Sequence, residues 1–337
     1  MAKTLKIFFL VFLIIFLFFA YYFFIAKAPE AKNITFGIDF SKEYATFLDL
    51  DWKKAYVAMF SDLKVKNIKL LNQWDSIEPK KDVFTFEDTD WQLSKAKDNG
   101  AEVIYVVGMK TGRWPECHVP SFANSLTKEQ QQEEILKYVQ KTILRYKDNT
   151  SIVAWQAENE PFYSFGVCPW YDDNFVKNEV TLIKSLDPSR PVIVSDSGEQ
   201  SLWFKAASIG DIVGTTMYRK VWVHLTDKYG FYMDFPLPAV SYFYKAQIIK
   251  AIFSKKVINV ELQAEPWVSN VSDSSLLKEE NSMNVNQLRK NIDYARRSGF
   301  DTFYFWGYEW WYYMKDKKNN PSIWNEAKDL FSHQQAP

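Results

Sequence analysis

Three histidines and two cysteines are few imidazoles and thiols for a chain of 337 residues. His118, His224 and His333 stand in no ligand-like spacing, and no His-Glu-x-x-His is present. Glycine is scarce at 11 residues, and nowhere does it form a loop that could cradle phosphate. There is no Gly-x-Ser-x-Gly nucleophile elbow. No metal and no cofactor is therefore implied. An excess of charge is missing too: 41 basic residues balance 41 acidic ones. That excludes the basic field a nucleic-acid partner needs. Internal repeats, low-complexity stretches and internal linkers are also absent.

What the chain has in excess is aromatic rings, 18% of residues. Many fall in loop-like segments, such as Trp170-Tyr171 and Trp310-Trp311-Tyr312-Tyr313, which tilts the reading toward a ligand that stacks on flat faces, as sugars do. The other excess is at the N-terminus. Lys3 and Lys6 precede an uncharged run at 7–26, long enough to span a bilayer as a helix. Lysines before the run favour a cytoplasmic N-terminus, with the rest of the chain outside. Ala26-Lys27-Ala28 also fits a signal-peptidase site, but the run exceeds an ordinary secretory core. We read residues 1–28 as a membrane anchor, or a signal sequence if cleaved and the protein secreted, and residues 29–337 as one domain.

From residue 34 onward strand-like and helix-like segments alternate. The strands fall at 34–38, 68–71, 103–107, 152–157, 192–195, 212–215, 257–260 and 302–306. The helices fall at 52–65, 90–99, 128–146, 174–186, 239–253, 285–297 and 325–331, with a weaker one at 201–207. The strands are apolar throughout rather than alternating, as in parallel sheets buried on both faces. Eight strands each followed by a helix is the count of a TIM (β/α)8 barrel; a doubly wound open sheet is the alternative.

The fourth strand runs into Glu158-Asn159-Glu160-Pro161, and the seventh ends in Glu261. A barrel puts its chemistry at these strand ends. Two carboxylates there suit glycosidic hydrolysis, in which one protonates the leaving oxygen and the other attacks the sugar carbon or activates water. Glu265 shares strand parity with Glu261 and is the competing nucleophile; the longer strand before Glu261 favours Glu261.

Four segments give a resemblance. Asn159-Glu160-Pro161 and 256–261 are similar to the strand-four and strand-seven motifs of clan A glycoside hydrolases. Trp74-Asp75-Ser76-Ile77-Glu78-Pro79, with Phe84-Thr85-Phe86 and Asp90, resembles the W-x-x-I-E-P…G-x-F-x-F…D pattern of the β-galactosidase-like and xylanase-like branches. Phe305-Trp306-Gly307 resembles the clan's strand-eight Trp. The resemblance implies a retaining β-glycosidase with Glu160 as acid/base and Glu261 as nucleophile, their carboxyls roughly 5–5.5 Å apart. It implies Asn159 on the sugar hydroxyl beside the reacting carbon, Tyr218 donating to the nucleophile, Trp306 under the sugar, and Trp74 and Lys69 in substrate binding.

Lys69 is a departure, because the clan places an Arg there and Lys lacks its planar fork. Asn72, Gln73 or Arg113 is a candidate for the missing donor. The departure also motivates a second reading, a weak barrel that binds polysaccharide as a membrane-anchored lectin. A third is a transglycosylase that remodels surface glycan. Glu158 reads as a paired buried carboxylate and Glu78 as a brace of its loop. Trp155 reads as core packing, whereas Trp310 and Trp311 are either subsite wall or packed loop. Cys117 and Cys168 follow adjacent strands, so an extracytoplasmic barrel is expected to join them as a disulfide.

Overall fold

The computed structural model describes residues 2–226, 230–267 and 282–333. Eight strands close into a parallel barrel: β1 (Thr35–Ser41), β2 (Asn67–Leu71), β3 (Glu102–Val107), β4 (Ile152–Ala157), β5 (Val192–Asp196), β6 (Ile212–Met217), β9 (Lys256–Gln263) and β10 (Thr302–Trp306). Two more, β7 (Lys220–His224) and β8 (Gly230–Asp234), pair as an antiparallel hairpin that follows β6. The helices are α1 (Ala2–Phe24), α2 (Lys42–Phe47), α3 (Trp52–Ser61), α4 (Trp74–Ile77), α5 (Glu87–Asp98), α6 (Lys128–Tyr146), α7 (Asp173–Leu186), α8 (Phe204–Ile209), α9 (Ala239–Phe253), α10 (Val285–Arg296), α11 (Tyr308–Asp316) and α12 (Ser322–His333).

Local chemistry explains the element ends. The side chain of Asp51 accepts the Lys54 N–H ahead of α3, and Thr127 with Gln130 forms a capping box ahead of α6. The helix expected over 52–65 stops at Ser61, because Lys64 takes a left-handed turn (φ 61°) into β2. The one expected over 201–207 starts at Phe204, since Trp203 before it is left-handed. Helices at 128–146 and 239–253 stand where the pattern put them. The hairpin and the short helices α2, α4 and α11 carry no sequence pattern long enough to read.

Inside the barrel Ile104, Ala154, Ile193, Ile258, Val260 and Tyr304 fill the axis, each from a different strand except the pair on β9. Gly37 on β1 makes room for this layer: a Cβ there would lie 2.6 Å from the Tyr304 ring. Above it Leu71, Val106 and Trp306 form a second layer beneath the mouth. The larger apolar cluster lies between strands and helices.

Outside the barrel, α1 rests on α9 through Tyr22 and Phe23, whose rings approach Tyr244 at 5.5 and 5.8 Å. Lys3–Phe24 has a mean hydropathy of 2.8 and is long and apolar enough to cross a membrane, a test that signal sequences also meet.

Candidate active site

Glu261 lies inside β9, two residues before its end, rather than just after the strand as the sequence suggested. Its direction comes from a bulge. Against β6 the pairing steps from Thr215↔Asn259 to Thr216↔Glu261, so Val260 is an extra residue. Val260 already points into the barrel, and simple alternation would turn Glu261 toward the helices. A bulge re-aims the next side chain, and Glu261 reaches the mouth instead. There its Oε1 is 3.2 Å from the Nζ of Lys69, and its Oε2 accepts the Tyr218 hydroxyl at 2.7 Å.

Lys69 is fully buried, so the sequence-based role in contacting sugar is corrected: it meets only protein. Besides Glu261 it pairs with Asp39 Oδ2 at 3.2 Å and donates to the Val260 carbonyl at 2.9 Å. Burial pushes the Asp39 carboxyl well above the usual range, opposed by the Lys69 charge. Arg113 does not supply a donor to Glu261, as one alternative had it. Its guanidinium lies between the rings of Tyr44 and Trp306, 3.7 and 4.1 Å from their centroids, and pairs with Glu265 and with Glu309 at 2.7 Å. Glu265, the rival carboxylate, is thus held by Arg113, whereas Glu261 is held by Lys69 and Tyr218.

Glu160 follows β4 in a left-handed conformation (φ 45°). Its backbone is fixed from both sides: the N–H donates to Ser195 Oγ at 2.9 Å, and the carbonyl accepts Lys110 Nζ at 2.8 Å. The Thr216 hydroxyl donates to Oε1 at 3.1 Å. Burial and then the Glu261 charge hold the Glu160 carboxyl well above the ordinary glutamate range. Asn159 is buried beside it and accepts from Gln156 at 3.3 Å. Glu158 turns away from the mouth. It accepts the backbone N–H groups of Met109 and Lys110 and lies against Glu179 of α7, both carboxyls being raised by burial.

Glu160, Glu261, Asn159, Tyr218 and Trp306 line one cavity of about 230 Å³. A second, of about 330 Å³, adjoins it on the β1–β3 side, and Glu116, Tyr218, Trp267 and Trp306 belong to both walls. Trp74 lines neither. It is fully buried, its indole N–H donates to Glu78 at 2.8 Å, and its ring packs on Phe122 and Tyr138. The sequence-based placement of Trp74 in substrate binding is therefore corrected to packing. Glu78 also accepts the Asp82 N–H and braces its loop as expected. Trp310 and Trp311 are fully buried packing residues, and Trp155 is bonded to Asp187 inside the core. Cys117 and Cys168 form a disulfide with Cα atoms 5.1 Å apart.

Thr216, Glu116 and Glu199 were missed. Glu199 accepts the Tyr218 N–H at 2.6 Å and the Tyr242 hydroxyl at 2.8 Å at the wall of the smaller cavity. Nothing in its local sequence, after a strand that carries no motif, marks it out.

A closed parallel barrel with carboxylates at the mouth ends of its fourth and seventh strands is the architecture of a retaining clan A glycoside hydrolase. Residues 25–200 match glycosyl hydrolase family 10. The chain belongs to that family. Among solved structures it is similar to native xylanase 10B from Thermotoga maritima, at 14% identity and TM-score 0.57, covering 88% of this chain and 95% of that one. A family 10 endo-β-1,4-xylanase from Gloeophyllum trabeum matches at 14% identity and TM-score 0.52, covering 82% and 85%. A GH5_18 protein from Bifidobacterium longum matches at 12% identity and TM-score 0.60, covering 91% and 80%. Likeness at these identities establishes the fold.

Proposed function

We propose that the protein cleaves β-glycosidic bonds of an oligo- or polysaccharide by double displacement. Glu160 protonates the departing oxygen while Glu261 attacks the anomeric carbon, giving a glycosyl ester on Glu261. Glu160, now ionised, takes a proton from water, which attacks the same carbon and releases Glu261. The observation that carries this reading is the contrast between the two carboxyls. Glu261 meets a cation and a phenol donor, the surroundings of an anionic nucleophile. Glu160 is buried with one neutral hydroxyl on it, and burial with the Glu261 charge raises its carboxyl well above the ordinary glutamate range, as a general acid requires. Asn159 is assigned to the neighbouring sugar hydroxyl and Trp306 to the face of the ring.

The contact of Lys69 with Glu261 favours catalysis over a merely sugar-binding barrel, since a cation still backs the nucleophile. Relatives of the fold that act on xylan make a β-1,4-xylan the first polymer to try. The apolar run at 7–26 is assigned to the membrane, with the barrel outside the cytoplasm, where the Cys117–Cys168 bond is stable. The test is a screen of aryl β-glycosides and polysaccharides, with the anomer of the first product followed by NMR. Release of β-anomer that is lost in both Glu160→Gln and Glu261→Gln supports the proposal. Sugar binding without turnover, or release of α-anomer, overturns it.

A further inference from the structure

Glu116 is a further carboxyl in the cleft, beyond the pair assigned to the reaction. It is 7% exposed and belongs to the walls of both cavities. Among the described residues no side chain donates a hydrogen bond to its carboxyl group, in contrast to Glu160, Glu199, Glu261 and Glu265, each of which has a side-chain donor. Its place is built rather than incidental. The backbone is left-handed at φ 76°, and its N–H donates to Arg113 O while its carbonyl accepts from Thr111 at 3.2 Å. The next residue is the disulfide-bonded Cys117, and Val167 N–H is tied to Pro115 O at 2.9 Å. Gly166 in that facing loop makes space for the side chain: a Cβ there would lie 2.5 Å from Glu116 Cβ. A disfavoured backbone held by a crosslink, presenting to both cavities a carboxyl with no protein donor, points to a partner that arrives with the ligand.

The charge around it says what that partner is. The smaller cavity is walled by Glu116, Glu160, Glu199 and Glu261, with no basic residue among its described lining. The larger adds Glu43, Asp75 and Glu265 against Arg113 and His118, and Arg113 is already shared between Glu265 and Glu309. Lys69 and Lys110 stand behind the walls, on Glu261 with Asp39 and on the carbonyls of Glu160 and Tyr163. No unshared lysine or arginine lines either wall among the described residues to meet an acidic sugar, whereas a carboxyl raised by burial can give up its proton to an entering cation.

We propose that Glu116 is a specificity-determining contact that accepts the free ammonium group of an amino sugar bound across the two cavities. The inference rests on the reading of this cleft as a glycosidase site, and it adds the substrate class. Burial and then the Glu261 charge lift the Glu116 carboxyl to about 8, with Lys110, Arg113 and Lys69 opposing. An ammonium group settling on it would ionise it and expel its proton.

The experiment is calorimetric binding to the full-length protein in detergent at about pH 6, where the amine is charged. The probes are a β-1,4-linked glucosamine tetrasaccharide, its N-acetylated counterpart and xylotetraose. Binding does not require turnover, so an amine preference without hydrolysis would sink the catalytic reading and leave this one standing. The expected result is a preference of about tenfold or more for the free amine, lost in Glu116→Gln. The free amine should also release a proton in buffers of differing ionisation heat, a readout on the unmutated protein that does not depend on the variant folding. No preference for the amine, a preference that survives Glu116→Gln, or amine binding without proton release would each overturn the proposal. Equal weakening of all three probes in Glu116→Gln would make Glu116 a hydroxyl contact and overturn it as well.

Discussion

Lys69 Nζ lies 3.2 Å from Glu261 Oε1 inside the barrel, joining the second strand to the seventh across 192 residues of chain. One ammonium group also faces Asp39, so two buried carboxyls share it. Removing one partner of a buried pair leaves charge uncompensated and costs about 3–5 kcal/mol. Lys69→Met should lose stability on that scale in denaturant unfolding and lose most turnover. A variant that keeps both would show that the lysine does not support Glu261.

Tyr218→Phe isolates the other contact on Glu261. It deletes a 2.7 Å hydrogen bond to a carboxylate and little volume. Such a bond is worth about 1.5–3 kcal/mol, roughly 10- to 100-fold in rate if it is made fully at the transition state. The expected pattern is a lower kcat with melting temperature nearly unchanged. An unchanged kcat would make the tyrosine a rim residue only.

Cys117 and Cys168 close a loop with a sequence separation of 51. In the chain-entropy model that stabilises by about 4 kcal/mol. The bond also ties the loop after β3 to the segment that follows Glu160. Reductant, or the double Cys→Ser variant, should therefore lower both melting temperature and activity. Differential scanning calorimetry and alkylation of the non-reduced protein decide it, with two free thiols in exported material as the adverse result.

Two of the buried carboxyls with raised pKa contribute a defined part of the pH dependence of stability. Burial lifts Glu116 to about 8 and Glu309 to about 7, the latter opposed by Arg113. A raised carboxyl binds a proton in the folded state that the unfolded chain has given up. Its contribution is present below the ordinary glutamate range and is lost as pH rises through 7 to 8. Glu116→Gln should match the native protein near pH 4 and exceed it near pH 9, by something of the order of a few kcal/mol. Unfolding curves that stay parallel at both pH values would contradict this.

Much of this was legible in the sequence. An apolar strand delivering Asn159-Glu160-Pro161, and a second apolar strand ending near Glu261, are local patterns, and the barrel count made them neighbours. The cysteine pair followed from the same count. Parity could not separate Glu261 from Glu265, because the bulge at Val260 breaks the alternation and is invisible in residue types. Lys69 stood out as a departure from an expected Arg, but its meaning depended on Asp39, a residue with no pattern around it. Trp74 carries the clan motif, yet the motif serves packing against Glu78 and Tyr138. The Arg113–Glu265–Glu309 cluster joins residues 152 and 196 positions apart, beyond any window that spacing can read.

The central claim is that Glu261 forms the covalent bond to the sugar. The measurement that tests it most directly is azide rescue with an activated aryl β-glycoside, carried out in parallel on Glu261→Ala and Glu265→Ala. The account predicts that Glu261→Ala is inactive alone and regains turnover with azide, yielding a glycosyl azide of inverted configuration, because the anion enters the space the carboxylate left. Rescue of Glu265→Ala with none for Glu261→Ala would contradict it and hand the nucleophile's role to the residue that Arg113 holds.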